Sequence, residues 1–350
     1  MKDHFIKKIK IQGPISISEY MAEAIWAPKV GYYDSENSIG KKGDFITGPE
    51  ISQMFGELIG VFFTECWKIN NKPQPIHFID MGGGNGTMMK DILRTINKIA
   101  PVFFKSLHPY FLENSKTLQK RQQQVVPNSN FINDIEKIPP GILFLTANEF
   151  FDCFPVHQFV KLNGHWHERL IDLDDKNKMR FIVSKRPSKY ENVLPDNYTE
   201  GEICELPSSL IQTVNDLAKR INQSGGVLLI IDYAYEDKEP YGTLQAVKNH
   251  KHINPLLSPG SCDLSCKVNF KLVSNIAKQA GSNIKGPISQ KTFFENLGIN
   301  IRSKQLIKMN PNKKSEIIDA ANRLTSSKGM GNLFKVMTIS NKNFKVPEIF

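Results

Sequence analysis

Short apolar runs alternate with helix-patterned segments between residues 76 and 150. The apolar runs predict four buried strands, at 76–81, 107–113, 130–134 and 142–150. Segments with apolar residues three and four positions apart predict helices after the first two strands, at 86–99 and 114–124. This alternation of strand and helix favours a parallel sheet covered by helices on both faces.

A different pattern begins at residue 157, where apolar and polar residues alternate one by one. Turn signals occur at Asn163-Gly164 and at 174–177, and residues 187–204 have a loop-like composition. Strict alternation interrupted by an Asn-Gly pair is typical of antiparallel hairpins. We therefore predict an inserted antiparallel β segment over 157–204.

The flanking segments carry further helix and strand patterns. Upstream, we predict helices at 16–27, with Ser16 or Ser18 as N-cap, and at 50–68. Downstream, we predict helices at 206–221, 268–281, 289–298 and 313–326 and strands at 225–233 and 332–340. The expected organisation begins with a helical N-terminal portion at 1–70, which includes a lid-like loop at 31–50. The first half of the core follows at 71–156 and the insertion at 157–204. The second half of the core, with C-terminal helices and a strand, occupies 205–350.

Composition and charge narrow the class of protein. Apolar residues make up 40% and charged residues 23% of the 350 residues, as in ordinary globular proteins. No apolar run is long enough to span a bilayer, and the basic N-terminus lacks the apolar core of a secretory signal. Five scattered cysteines give no disulfide framework. These features predict a cytoplasmic protein, or one of the mitochondrial matrix if the source is eukaryotic.

The net charge of +10 is spread along the chain and forms no tract. A solvated basic surface explains it better than a nucleic-acid partner does. Cys262 and Cys266, with His250 and His252 nearby, fit no common zinc spacing, so no metal site is predicted.

A glycine-rich loop, FIDMGGGNGT, follows the first predicted strand. Gly82, Gly84 and Gly86 have the spacing G-x-G-x-G, which is neither the dinucleotide fingerprint G-x-G-x-x-G nor a phosphate-binding P-loop. Glycines there let a ligand lie directly against the backbone. Asp80, two residues earlier, suits an ammonium group better than a pyrophosphate. This combination favours S-adenosylmethionine, which carries an ammonium group and a ribose.

The ends of the next strands support the same ligand. Glu113 ends the second strand, where a carboxylate can accept hydrogen bonds from both ribose hydroxyls. The third strand ends in Asn133 and Asp134, which are placed to meet an adenine amino group. The carboxyl ends of parallel strands gather at one edge of a sheet, so these groups are expected to converge.

The fourth strand ends in NEFFDCF, where polar residues lie among aromatic ones. Asn148, Glu149 and Asp152 are the polar members of this segment. Aromatic walls exclude water while a few polar groups position a nucleophile. This segment is the predicted place of methyl transfer, with Asn148 on the cofactor side.

Long motifs along nearly the whole chain resemble those of a known family. They include GDFITGPEISQMFGELIG, NEFFDCFPVHQFV, GGVLLIIDY, GTLQAVKNHKHINPLLSPGSCDLSCKVNF and GPISQKTFFENLGI. Together they resemble the MidA family of methyltransferases. The resemblance implies an α/β fold, with a Rossmann-like seven-stranded class I methyltransferase core, a helical N-terminal portion and an inserted antiparallel β segment. For mitochondrial members it also implies symmetric dimethylation of an arginine in the 49 kDa-type subunit of NADH:ubiquinone oxidoreductase (complex I).

The family's site carries over residue by residue. Its glycine loop falls on Gly82, Gly84 and Gly86, and its second-strand glutamate falls on Glu113. Its Asn-Glu-Phe-Phe-Asp segment falls on Asn148 to Asp152. Its Gly-Asp-Phe-x-Thr loop falls on 43–47, which adds Phe45 and Thr47 to the predicted cofactor contacts. The family usually has Glu-Leu-Gly-Pro-Gly-Arg-Gly where this chain has DMGGGNG. Asp80 shortens the acidic side chain, and glycine and asparagine in place of the family's proline and arginine loosen the loop before a ligand binds; the effect on cofactor affinity stays open.

A guanidinium acceptor poses a specific chemical problem. It is protonated and delocalised, and its nitrogens are poor nucleophiles. Glu149 and Asp152 are the predicted carboxylates that pair with it and fix the attacking nitrogen. A protein substrate, and a homodimer, are compatible with this hypothesis. Methylation of RNA or of a small molecule, and a non-catalytic assembly factor that binds S-adenosylmethionine, stay open as alternatives.

Overall fold

The structure is a computed structural model that describes residues 1–34 and 47–350. Within that part of the chain, none of the helices combines the length and the apolar content needed to cross a bilayer. The helices are α1 Lys2–Gln12, α2 Ile17–Trp26, α3 Gly48–Ile51, α4 Gln53–Ile69, α5 Thr87–Ile99, α6 Pro101–Lys105, α7 Lys116–Val125, α8 Ser208–Ser224, α9 Phe270–Gln279, α10 Gln290–Asn296, α11 Ile299–Met309, α12 Lys314–Thr325 and α13 Met330–Leu333.

The strands form three sheets. They are β1 Ile15–Ser16, β2 Ile76–Met81, β3 Leu107–Leu112, β4 Asn130–Ile132, β5 Ile142–Asn148, β6 His157–Leu162, β7 His165–Leu173, β8 Met179–Val183, β9 Ile203–Leu206, β10 Gly226–Tyr235, β11 Gln245–Lys248, β12 Lys251–Ile253, β13 Asp263–Ser265, β14 Val268–Asn269, β15 Asn283–Ser289 and β16 Phe334–Ser340.

The central sheet has the strand order β4-β3-β2-β5-β10-β16-β15, with the short β14 beside β10. The strands from β4 to β10 are parallel, and β16 is antiparallel to both of its neighbours. The predicted seven-stranded Rossmann-like core is therefore confirmed, with the two-residue β14 as an addition.

Both faces of this sheet are buried, which explains the continuous apolar runs. Along β10, Leu228 and Ile230 belong to one hydrophobic cluster, whereas Val227, Leu229 and Ile231 belong to the other. Successive side chains of a strand point to opposite faces. A strand covered on both sides thus has a continuous apolar run, which in β10 extends from Val227 to Ile231 and is followed by Asp232 within the strand.

The N-terminal segment holds the insertion against the core. Ser16 accepts a hydrogen bond from the Glu19 N–H at 3.0 Å and caps α2, as predicted. The preceding β1 pairs antiparallel with β7. The insertion contains the predicted hairpin between β6 and β7, turning at Asn163 and Gly164 with φ of 51° and 79°. It extends to β8 and to β9, which was expected to be loop.

Several elements were absent from the sequence prediction. They include α1, α6, α11, α13, the edge strand β15 and the small antiparallel sheet β12-β11-β13. The strands of the small sheet are three or four residues long, too short to show a periodicity. This sheet matters for the site, because β13 reaches the carboxyl edge of the core.

Candidate active site

A cavity of about 760 Å³ lies at the carboxyl edge of the central sheet. The last residues of β2, β3, β4 and β5 lie in register, so the residues that follow them meet at one edge. Residues at the end of α2 and on β13 complete the walls. The volume suits a small-molecule ligand. We call the part around Gly82, Glu113 and Asp134 the glycine-loop end, and the part around Glu149, Asp152 and Asp263 the carboxylate end.

Glycine residues shape the loop after β2. Gly82, Gly84 and Gly86 have φ of 65°, 53° and 80°, in the left-handed region that side chains rarely adopt. A Cβ on Gly83 would lie 2.7 Å from Asp80 Oδ2. Gly82 through Gly84 line the cavity, while Gly86 lies outside its wall at the N-cap of α5. The loop therefore presents bare backbone to a ligand.

Asp80 lies beneath this loop and not on the cavity wall. Its Oδ1 accepts a hydrogen bond from the Thr146 hydroxyl at 2.9 Å. Its Oδ2 accepts no hydrogen bond from residues 1–34 or 47–350. Burial, reinforced by the charge of Glu113, raises the pKa of Asp80 to about 7. A buried oxygen without a partner marks a place where a ligand or loop donor would be accommodated, and the contact of Asp80 with an ammonium group stays a prediction.

Glu113 is fixed at the end of β3 by two donors. Its Oε1 accepts from the Ser115 N–H at 2.8 Å, and its Oε2 accepts from Gln122 Nε2 at 3.2 Å. Gln122 also donates to the Gly84 carbonyl at 2.9 Å and so ties the glutamate to the glycine loop. Burial raises the pKa of Glu113. This carboxylate lines the cavity where the ribose contact was predicted.

Asn133 and Asp134 follow β4 and line the same end of the cavity. Asp134 Oδ1 accepts a hydrogen bond from the Glu136 N–H at 3.0 Å, and Asn133 Oδ1 accepts from Lys137 Nζ at 2.7 Å. Both residues are exposed. Their position on the strand next to Glu113 is compatible with contacts to an adenine ring, which stay a prediction.

The turn after β5 holds Glu149 in an unusual conformation. Its φ is 50°, in the left-handed region that is uncommon for residues other than glycine. The backbone N–H of Glu149 donates to the Ile231 carbonyl at 2.9 Å, and its Oε1 accepts from the Gly48 N–H at 3.2 Å and from Asn148 Nδ2 at 3.3 Å. A strained residue held by several contacts is frequent at functional sites.

Four carboxyl groups converge at the carboxylate end. Asp152 lines the cavity with Glu149 and Asp263, and Asp232 lies buried behind them, where its Oδ2 accepts from the Phe151 N–H at 2.9 Å. Burial and the charge of Asp152 raise the pKa of Glu149 to about 8. Burial and the charges of Asp232 and Asp263 raise the pKa of Asp152 well above its usual range. Such a cluster would be stabilised by a cation.

Aromatic side chains surround these carboxyl groups. Phe150, Phe151 and Phe154 pack against one another with ring centroids 5.2–5.5 Å apart. Trp26, at the end of α2, contacts Phe154 edge-on at 5.8 Å. Tyr33 lines the cavity beside them and donates to Asp263 Oδ1 at 3.4 Å. The carboxylate end is therefore apolar around its charges, which limits the access of water.

The segment that enters α3 contacts both ends of the cavity. Thr47 lines it, Gly48 donates to Glu149 as described, and Glu50 Oε1 accepts from the Thr87 hydroxyl at 2.7 Å. Phe45, the other predicted residue of this loop, lies outside the described residues. A lid over the site, predicted for residues 31–50, stays a prediction for the same reason.

Sequence reasoning missed four residues of the site: Glu50, Gln122, Asp232 and Asp263. Asp232 had a signal, since it follows the apolar run of the fifth core strand as Asp80 follows that of the first. The other three lie on elements whose approach to the cavity depends on long-range packing. No group of histidine, cysteine or acidic side chains arranged to hold a metal ion occurs within residues 1–34 and 47–350.

Comparison with known proteins gives a family match. Residues 58–288 match the family model described as an S-adenosyl-L-methionine-dependent methyltransferase. The protein arginine methyltransferase NDUFAF7 of Danio rerio mitochondria is 32% identical over 97% of this chain and 86% of its own length. The human protein of the same name is 31% identical over 97% of this chain and 83% of its own length.

A solved structure has the same fold. A Burkholderia thailandensis protein bound to S-adenosyl-homocysteine superposes with a TM-score of 0.87 at 22% identity, covering 100% of this chain and 94% of that protein. The likeness spans the core, the insertion and the N-terminal portion together.

Proposed function

The chain belongs to the family of S-adenosyl-L-methionine-dependent methyltransferases, and we propose that its methyl acceptor is an arginine side chain of a protein. The expected resemblance to MidA-type enzymes and the expected cofactor are confirmed by this family match. We propose the identity of the acceptor and the roles of the individual residues.

The glycine-loop end fits the cofactor. The left-handed glycines leave the backbone open to the cofactor's amino-acid part, and Glu113 offers two oxygens to its ribose hydroxyls. Asn133 and Asp134 would lie along the adenine. The Oδ2 of Asp80, which accepts no hydrogen bond from the described residues, offers an acceptor under the loop. Asn148 and Thr47 would complete the contacts near the boundary between the two ends.

The carboxylate end carries the proposal for the acceptor. Glu149, Asp152 and Asp263 contribute three carboxyl groups there, whereas Lys116, at the glycine-loop end, supplies the one basic side chain among the described residues that line the cavity. The chain as a whole has a charge of +10, so this acidic lining runs against its general composition. An acidic cavity repels phosphate groups and attracts a cation, which favours a guanidinium over RNA.

The geometry suggests how the carboxylates act. When bound, S-adenosylmethionine supplies an electrophilic methyl group whose bond to sulfur breaks with the electron pair left on sulfur. Glu149 and Asp152 would bind the guanidinium through paired hydrogen bonds and direct one nitrogen towards the methyl carbon. The new carbon–nitrogen bond leaves one proton in excess, and Glu149 is placed to accept it. Phe150 and Phe154 would exclude water from the reacting atoms.

The names of the relatives support this acceptor class. Both relatives described above are named protein arginine methyltransferase and mitochondrial. We propose the 49 kDa-type subunit of complex I as the target, following the resemblance to the MidA family. The enzyme would then work in the mitochondrial matrix, or in the cytoplasm of a bacterium.

Transfer of a labelled methyl group tests the acceptor directly. Purified enzyme is incubated with methyl-labelled S-adenosylmethionine and cell extract, and portions are treated with RNase or protease. We expect protease-sensitive label, and mass spectrometry should locate methylated arginine, absent from cells without the enzyme, in the complex I subunit. Label that RNase removes, or that stays in small molecules, would overturn the proposal. Cofactor binding without any transfer would indicate an assembly factor instead.

The pH dependence of kcat/KM should follow the ionisation of Glu149 at the carboxylate end. Below its pKa of about 8, Glu149 holds a proton and cannot pair fully with a cation. The groups around it are Asp152 and Asp263, whose charges raise this pKa, and the donors Gly48 N–H and Asn148 Nδ2, which lower it. We therefore expect kcat/KM to rise with pH, with a midpoint near 8 in the free enzyme. A profile that is flat or falls between about pH 6.5 and 9 would contradict the assignment.

A further inference from the structure

Asp263 reaches the cavity from outside the methyltransferase core. It is the first residue of β13, in the small sheet, and pairs with Val247 of β11. Its side chain lines the cavity with Asp152 and Glu149, although about 110 residues separate it from them in sequence. A carboxyl group beside two others adds to the negative charge that a cationic side chain would meet in the cavity.

Hydrogen bonds hold the small sheet in place on two sides. The Cys266 N–H, one residue after β13, donates to the Asp152 carbonyl at 2.8 Å. The Tyr20 hydroxyl of α2 donates to the Pro255 carbonyl at 2.6 Å. Asp263 itself accepts from the Tyr33 hydroxyl at 3.4 Å. The position of Asp263 relative to Asp152 is therefore set by the fold and not by a free loop.

Three carboxyl groups match the donor pattern of a guanidinium. That group has five N–H donors in one plane, so two paired carboxylates can accept from four of them and a third carboxylate from the fifth. Glu149 and Asp152 lie on the turn after β5, whereas Asp263 lies on β13. We propose that Asp263, oriented by Tyr33, is a specificity-determining residue that selects a cationic acceptor side chain over a neutral one of the same shape. This inference rests on the proposed function and extends it to a residue outside the core.

A pair of isosteric probes tests this role. Acetyl-arginine-amide and its neutral isostere acetyl-citrulline-amide are titrated into the enzyme in the presence of S-adenosyl-homocysteine, and affinities are measured by ligand-detected NMR. The wild type should prefer the arginine probe, and Asp263→Asn should reduce this preference at least about tenfold. Asp263→Glu should restore most of it, and Tyr33→Phe should reduce it about two- to fivefold.

Controls separate selectivity from damage to the fold. Asp237→Asn, at an exposed side chain that does not line the cavity, should leave the preference unchanged. A structural defect would weaken both probes and S-adenosyl-homocysteine alike. If the wild type prefers arginine and Asp263→Asn keeps that preference, the inference is wrong while the proposed function stands. If the wild type binds arginine selectively but never methylates it, the proposed function fails and the role of Asp263 stands. If the wild type shows no preference for the arginine probe, both the proposed function and the role of Asp263 are wrong.

Discussion

Replacing Glu149 with glutamine should lower kcat at least about 100-fold while leaving S-adenosyl-homocysteine affinity within about threefold of wild type. Glutamine keeps the size of the side chain and can still accept the hydrogen bond from the Gly48 N–H. It loses the negative charge that pairs with a guanidinium and the ability to take up the released proton. We therefore expect the rate of the chemical step to fall while the affinity for the cofactor product changes little.

The measurement is a steady-state methylation assay combined with calorimetry on the same preparations. Glu295→Gln serves as the matched control, because Glu295 is an exposed residue of α10 that lies outside the cavity lining. The control should retain wild-type kcat. A Glu149→Gln enzyme that methylates at the wild-type rate would rule out the paired-carboxylate mechanism, whatever its effect on stability.

The parts of the site that the sequence predicted are those fixed by local chain geometry. The glycines at 82, 84 and 86 need left-handed φ values, and Glu113 follows a strand directly. A parallel sheet brings strand ends to one edge, so spacing along the chain was sufficient to group Glu113 with the glycine loop. The same argument grouped Asn148 and Glu149 with them.

The parts that the sequence could not predict depend on contacts between distant elements. Asp263 enters the site because β13 pairs with β11 and because Cys266 bonds the Asp152 carbonyl. Neither pairing leaves a periodic signal in strands three or four residues long. Asp80 was predicted from its strand-end position, yet whether its side chain faces the cavity or lies under the loop depends on Thr146 of the neighbouring strand. The register between neighbouring strands sets the direction of this side chain, and register depends on the tertiary structure.

Placing a methyl group on the first loop glycine should nearly abolish cofactor binding. In Gly82→Ala the new Cβ would lie 2.8 Å from Cδ2 of Phe150, and φ at this position is 65°. The Phe150 ring is packed against Phe151 and Phe154, so it can yield only by moving into the cavity or by shifting the loop. Since the loop backbone is the predicted wall for the cofactor, we expect the Kd for S-adenosyl-homocysteine to rise at least about 30-fold.

Gly164→Ala separates this steric effect from backbone strain. Gly164 has φ of 79°, similar to Gly82, but a Cβ there would meet no heavy atom of residues 1–34 or 47–350 within 4 Å. Both variants should lose about 1–2 kcal/mol of stability, because alanine is strained at these φ values, and the contact with Phe150 should add a further loss in Gly82→Ala. Urea unfolding should therefore show a loss of stability in both proteins, whereas calorimetry should show a loss of affinity in Gly82→Ala alone. If Gly82→Ala binds S-adenosyl-homocysteine as tightly as Gly164→Ala does, the cofactor does not lie against this loop, and the assignment of the glycine-loop end is wrong.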